Sequence, residues 1–453
     1  MPRGLSQNGN QTVISLLYLT AKLYCVKNAE DTQATEETEE VMAEPFATHA
    51  ASLRVTLVTE TFPPEINGVA MTLGNLVNGL LAGAHPVQIV RPRQVREAGP
   101  PPRAGLDEVL ARGIPIPNYP DLRIGLLSVN RLLQQWRKQR PDIVHVATEG
   151  PLGWAAVSAA RKLQLPVISS YHTHFHQYSR HYGMGLLTRP IEAYFKKLHN
   201  RTLATLAPTQ ALARVLQSRG YRNVTVLSRG VAIEQFQPGL RSADLRASWG
   251  ASDTDVVVLH VGRLAREKNV AVVLAAFAAI QTRLPSARLV FVGDGPQRKS
   301  LHEACPQAIF AGMKTGGELA THYASGDLFL FPSLTETFGN VVPEALASGL
   351  AVVSYGVAAA ANLITDGRNG VLVRPGEERE FIQASVALAL DNGKRDALRR
   401  EAAGSVAHMS WMAVTDDYIS TLRTTIERHD NPSGAVDHSL HPLTADRLNQ
   451  PSA

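Results

Sequence analysis

Short apolar runs alternate with longer stretches of helical period from Leu53 to about Arg428. Leu53-Arg-Val-Thr-Leu-Val-Thr-Glu60 is the first such run; Pro63-Pro64 and Asn67-Gly68 punctuate the turn after it, and a helical pattern then extends through Leu81. Further runs lie at 87–90, 143–146, 167–170 and 203–207, and a second series follows between Val224 and Val352. Apolar runs without polar alternation are strands covered on both faces, the habit of parallel sheets, and their alternation with helices predicts an α/β chain of two doubly wound, Rossmann-like halves. The first turn has no G-x-G-x-x-G, so a dinucleotide fingerprint is missing where one would stand. The pattern divides the chain into an N-terminal domain at 51–228, a C-terminal domain at 229–408 and a last helix at 409–430. Residues 1–50, an apolar patch followed by an acidic run, are expected to form a poorly ordered extension, and 431–453 a loose tail.

The chemistry concentrates in Phe331-Pro-Ser-Leu-Thr-Glu336-Thr-Phe338-Gly339-Asn340-Val-Val-Pro-Glu344. An apolar strand ends here and a helix starts near Asn340, which puts Glu336 on the loop and Glu344 about one turn into the helix. Amides of Phe338, Gly339 and Asn340 at a helix start favour an anion, so the segment offers a phosphate seat between two carboxylates able to bind sugar hydroxyls. Either glutamate alone would read as a helix-start charge or a solvated side chain. A second strand at 256–261 empties into Gly262-Arg263, with Lys268 five residues on. A rigid guanidinium fork and a point charge in one loop suit a diphosphate leaving group. Leu289-Val-Phe-Val-Gly293-Asp-Gly295-Pro296 is a third strand running into a tight turn.

Together these segments resemble the E-x7-E pattern of the retaining family 4 glycosyltransferases, over about residues 53–428. The resemblance implies the GT-B fold, two Rossmann-like domains facing a central cleft. It assigns Arg263 and Lys268 to the donor diphosphate, together with Phe338, Gly339 and Asn340; Glu344 would hold the nucleotide ribose and Glu336 the sugar. Asn67-Gly68 resembles the family's glycine loop, making Gly68 the donor-side residue of the first domain. In Ser170-Tyr171-His172-Thr-His174-Phe-His176, spacing leaves metal ligation, catalysis and solvated loop residues open as roles for the histidines; the resemblance points to His172 as a contact of the transferred sugar. The family needs no metal and no organic cofactor, and its products keep the donor's α configuration. The stretch E-T-F-P-P-E-I-N-G-V most resembles bacterial enzymes that move mannose, glucose or glucuronate from a GDP- or UDP-sugar to a lipid, lipid-linked or glycan acceptor. Departures are His174 where relatives carry an acidic or amide residue, Tyr355-Gly-Val-Ala where many have Gly-Gly and a Glu, and Ala232 in place of Asp in Arg229-Gly-Val-Ala.

Composition narrows the setting. A chain of 453 residues, 44% hydrophobic, makes domains with cores of their own. Cys25 and Cys305 stand too far apart in sequence to suggest a disulfide framework or zinc spacing, which fits a reducing cytosol. No run approaches the ~20 apolar residues of a membrane span. The net charge is +5, and 91–140 carries ten basic against four acidic residues. With the basic, amphipathic stretch at 185–201, this is consistent with peripheral attachment to an anionic inner membrane face or with an ordinary surface helix. Nucleic acid is not expected, because the basic residues are not interleaved with aromatics. A sugar-nucleotide epimerase or a phosphorylase of like fold, and a non-catalytic scaffold, are the alternative readings.

Overall fold

A computed structural model of the chain describes residues 52–65, 67–94, 103–116, 119–172 and 188–431. The expected extension at 1–50, the tail from 432 onward, His174 and His176 lie outside these residues. The described chain forms two compact units, which change over at Ser228; from Thr415 the chain belongs again to the first.

The first unit contains β1 (Val55–Val58), α1 (Gly68–Ala82), β2 (Val87–Pro92), β3 (Leu106–Ile116), β4 (Tyr119–Leu126), α2 (Val129–Lys138), β5 (Ile143–Val146), α3 (Pro151–Lys162), β6 (Val167–Ser170), α4 (Thr188–His199), β7 (Ala204–Ala207), α5 (Gln210–Ser218) and β8 (Val224–Val226). Its sheet runs β4-β3-β2-β1-β5-β6-β7-β8. Val55 pairs in parallel with Val87 on one side and Ile143 on the other, so the strand order reverses about β1. Ligands of open α/β sheets bind beyond the strand carboxyl ends at such a reversal, which is where the β1–α1 loop lies. The expected alternation misses β3 and β4, an antiparallel pair at the sheet edge. Pro115 and Pro120 withhold ladder donors and read as breaks in a sequence, yet β4 is the edge strand and Pro115 lies beyond the part of β3 that pairs with β2.

The second unit contains α6 (Ala243–Ser248), β9 (Val257–Val261), α7 (Val270–Arg283), β10 (Arg288–Val292), α8 (Arg298–Ala304), β11 (Ile309–Gly312), α9 (Gly316–Ala324), β12 (Leu328–Phe331), α10 (Val341–Ala347), β13 (Ala351–Tyr355), α11 (Ala358–Leu363), β14 (Val371–Val373), α12 (Glu378–Leu390) and α13 (Asn392–Ser405). Six strands lie in the order β11-β10-β9-β12-β13-β14, all parallel. Val257, Leu259 and Val261 pack into one core, while Val258 packs into another with Leu289, Phe291 and Leu330. Burial on both faces is the reason β9 reads as an unbroken apolar run.

The last helix, α14 (Trp411–Asp430), continues into the first unit, where the Tyr418 hydroxyl lies 2.7 Å from His145 Nδ1. The other nitrogen of His145 is 2.6 Å from Ser170 Oγ, and burial pushes its pKa down to about 3, so this imidazole is neutral. It joins the helix to the sheet of that unit through hydrogen bonds.

A candidate nucleotide-sugar site

In the second unit, β12 delivers Phe331 to a loop whose polar groups are tied down. Ser333 and Thr335, both buried, donate to the Glu267 carbonyl at 3.4 and 3.2 Å. Ser333 Oγ lies 2.7 Å from Glu336 Oε1, and the same oxygen forms an ion pair with Lys268 Nζ. The chain then turns at Gly339, whose φ of 88° is the left-handed region open to glycine. Asn340 follows at the N-cap position of α10, but its side chain makes no capping bond; Oδ1 accepts instead from Arg229 Nη1 at 3.2 Å. Phe338 is buried beneath the same guanidinium, whose carbon lies 5.8 Å from the ring centroid.

Glu344 occupies the first turn of α10, and the buried Tyr323 hydroxyl donates to its Oε2 at 2.9 Å. Burial pushes the Glu344 carboxyl up to about 7, with the Tyr323 bond opposing the rise. Within the second unit, therefore, the two glutamates of the motif meet different surroundings: Glu336 a cation, Glu344 a phenol.

The loop after β9 carries the cations. It runs close to the loop after β10, so close that a Cβ on Gly293 would stand 2.1 Å from the Gly262 carbonyl oxygen. No side chain fits there, which accounts for the glycine at the end of β10. Lys268 sits 5.7 Å from the Phe331 ring centroid while it pairs with Glu336. Arg263 is half-exposed and 3.8 Å from Glu267. The structure thus joins Lys268 to Glu336 and ties Phe338 and Asn340 to Arg229, with Arg263 on the Lys268 loop.

Gly68 and His172 belong to the first unit. Gly68 is the exposed first residue of α1. Two amides of that first turn, Val69 and Ala70, donate to Asn67 Oδ1 at 3.1 and 2.9 Å. Asn67 Nδ2 donates to Thr61 Oγ1 at 2.7 Å, and Thr61 to Glu65 Oε2 at 2.5 Å, so the loop is held by its own side chains. His172 is half-buried just past β6. Among the described residues, no group of three or more His, Cys, Asp or Glu is placed to hold a metal ion.

Two residues, one in each unit, escape sequence reasoning. Glu60, two residues past β1, takes a bond from the Leu152 amide at the start of α3, and burial lifts its carboxyl to about 7. Arg229 reads as one letter of an interdomain motif, whereas it reaches the turn that separates the two glutamates. Its partner Asn340 is 111 residues away, so no local pattern announces the pairing.

Residues 66–235 match the family model described as Glycosyltransferase Family 4, and 255–391 the model described as Glycosyl transferases group 1. The chain is 35% identical over 367 residues to the GDP-mannose-dependent alpha-mannosyltransferase of Corynebacterium glutamicum, covering 80% of this chain and 86% of that protein. It is 28% identical over 335 residues to the alpha-monoglucosyldiacylglycerol synthase of Streptococcus pneumoniae, 71% of this chain and 75% of the relative. Among solved structures, sucrose-phosphate synthase from Thermosynechococcus elongatus superposes with a TM-score of 0.67 at 17% identity, over 83% of this chain and 99% of that one. That likeness is one of fold, the GT-B class of two parallel-sheet units expected from the sequence.

Proposed function

The chain belongs to the family 4 glycosyltransferases, and from that premise we propose that it transfers mannose from GDP-mannose to the hydroxyl of a lipid acceptor, keeping the α configuration. The identity of 35% across 80% of the chain to a GDP-mannose-dependent enzyme supports the donor, and the likeness to a glycolipid synthase supports the acceptor class. Membership in the transferase family decides against the epimerase and phosphorylase alternatives.

The observation that carries the mechanism is the Lys268–Glu336 pair beside the Gly339 turn. On this reading a diphosphate draws Lys268 away from Glu336 and meets Arg263 on the same loop. Two positive charges at the leaving group lower the barrier to breaking the bond between sugar C1 and phosphate oxygen. Glu336, released, accepts from a sugar hydroxyl, and Glu344 accepts from the ribose. His172 and Gly68 keep the roles the family resemblance gives them, a sugar contact and a donor-side residue. The acceptor oxygen attacks C1 on the face the phosphate leaves, and its proton passes to the departing phosphate oxygen, so no protein nucleophile is needed. Neither a metal nor an organic cofactor takes part in this scheme, since the two cations supply the charge.

We place the enzyme on the cytosolic side, in peripheral contact with an anionic membrane. No helix among the described residues is long and apolar enough to cross a membrane. Helix α4, which the sequence leaves open between lipid contact and an ordinary surface helix, turns apolar residues inward: Ile191 and Leu198 are buried, and Tyr194 stacks on Trp154. Its Lys197 and Arg189 remain exposed, so attraction to lipid at this helix is electrostatic.

The donor is tested by the melting temperature of the protein with GDP, UDP and ADP, because a ligand that binds the folded state raises it by mass action. GDP should give the largest rise, and Arg263→Ala should remove most of it. Equal small shifts for all three nucleotides would sink the donor assignment.

A further inference from the structure

Arg229 stands at the start of the second unit, directly after Ser228, and is 6% exposed. Burying a guanidinium is costly unless its charge and N–H groups are used. Here Nη1 donates to Asn340 Oδ1, and the cation covers the Phe338 ring. Burial lowers its pKa to about 10, and the charge of Glu336 opposes that fall, which places Glu336 within its field. Arg229 thus touches the residues on both sides of Gly339 and faces the glutamate on which Lys268 rests.

Glu336 has an ion-pair partner in Lys268. When a diphosphate takes Lys268, the turn would be left with a carboxylate that has lost its cation. Arg229 is anchored by Asn340 and Phe338 and so does not depart with the lysine. Its burial beneath the turn keeps it from reaching substrate itself. Resting on the donor reading above, the geometry points to Arg229 as a positioning residue: through Asn340 and Phe338 it fixes the turn between Glu336 and Glu344, and it stays beside Glu336 when Lys268 moves to the diphosphate.

The test is a calorimetric titration of GDP into the full-length protein and into Arg229→Lys, Arg229→Met, Asn340→Ala and the Arg229→Met, Asn340→Ala double variant. Arg229→Met should weaken GDP at least ~10-fold. Arg229→Lys keeps the charge but loses the planar fork, and should recover part of that loss. Adding Asn340→Ala to Arg229→Met should cost little more, because residues acting through one contact are not additive. A general loss of stability would not produce that pattern. GDP binding within twofold of the parent for both Arg229 variants would overturn the proposal, as would losses from Arg229→Met and Asn340→Ala that multiply. Should Arg229→Met not fold, the lysine variant decides by a GDP affinity lower than the parent's by more than twofold or not. If the unsubstituted protein binds neither GDP nor UDP, the donor reading itself falls and takes this proposal with it.

Discussion

At the scale of single residues, the two glutamates of the motif are legible because their spacing to a glycine turn is local, while their environments are not. Glu344 rises from 4.5 to about 7 by burial, and Glu60 does likewise. A carboxyl with a raised native pKa favours the protonated folded state, so its contribution to stability is whole below ~4.5 and is lost as pH climbs through about 7. Glu60→Gln removes that loss; it should stabilise the protein at pH 8 by on the order of 1–3 kcal/mol and have almost no effect at pH 4.5. Denaturant melts at the two pH values check it, and an equal effect at both would contradict the assignment. For Glu344 the same shift governs binding. The carboxylate accepts from the ribose only when ionised, so GDP affinity should rise several-fold from pH 6 to 8 beyond the change seen for Glu344→Gln. Taking the difference cancels the titration of the phosphate. Parallel profiles for the two proteins would remove Glu344 from the ribose.

At the scale of elements, the parallel strands announce themselves because both faces are covered, as the cores on either side of β9 show. The β3–β4 pair does not, since an edge strand admits prolines that a sequence pattern treats as stops. The turn into α10 is legible as a glycine turn but not as one in the left-handed region. Its Gly339 has φ of 88°, and a Cβ there would stand 3.4 Å from Glu336 Cγ, so alanine fits in space but not in backbone. Gly339→Ala should cost about 1–2 kcal/mol in stability or shift the turn. Because the strain falls between Glu336 and Asn340, GDP binding should weaken ~10-fold or more, corresponding to about 1.4 kcal/mol. Unaltered GDP affinity in a folded Gly339→Ala protein would mean that the turn does not serve the donor.

At the scale of the whole molecule, two doubly wound units follow from alternation alone, and family membership follows from motifs spread over both. The acceptor does not. A net charge of +5 favours an anionic surface, and a helix with basic residues invites a lipid reading. Yet in α4 Ile191 and Leu198 serve the core, a division between inward and outward faces that sequence period alone could not assign to protein or membrane. The most direct test of the central claim is transfer itself. The protein is incubated with GDP-mannose and phosphatidylglycerol vesicles carrying diacylglycerol, and the lipid fraction is read by mass spectrometry and by the one-bond C1–H1 coupling of the anomeric carbon. Mannose in α linkage on lipid, lost at least ~100-fold with Lys268→Ala, is the expected result. No mannosylated lipid, a β product, or transfer that survives Lys268→Ala at near-parent rate would contradict it.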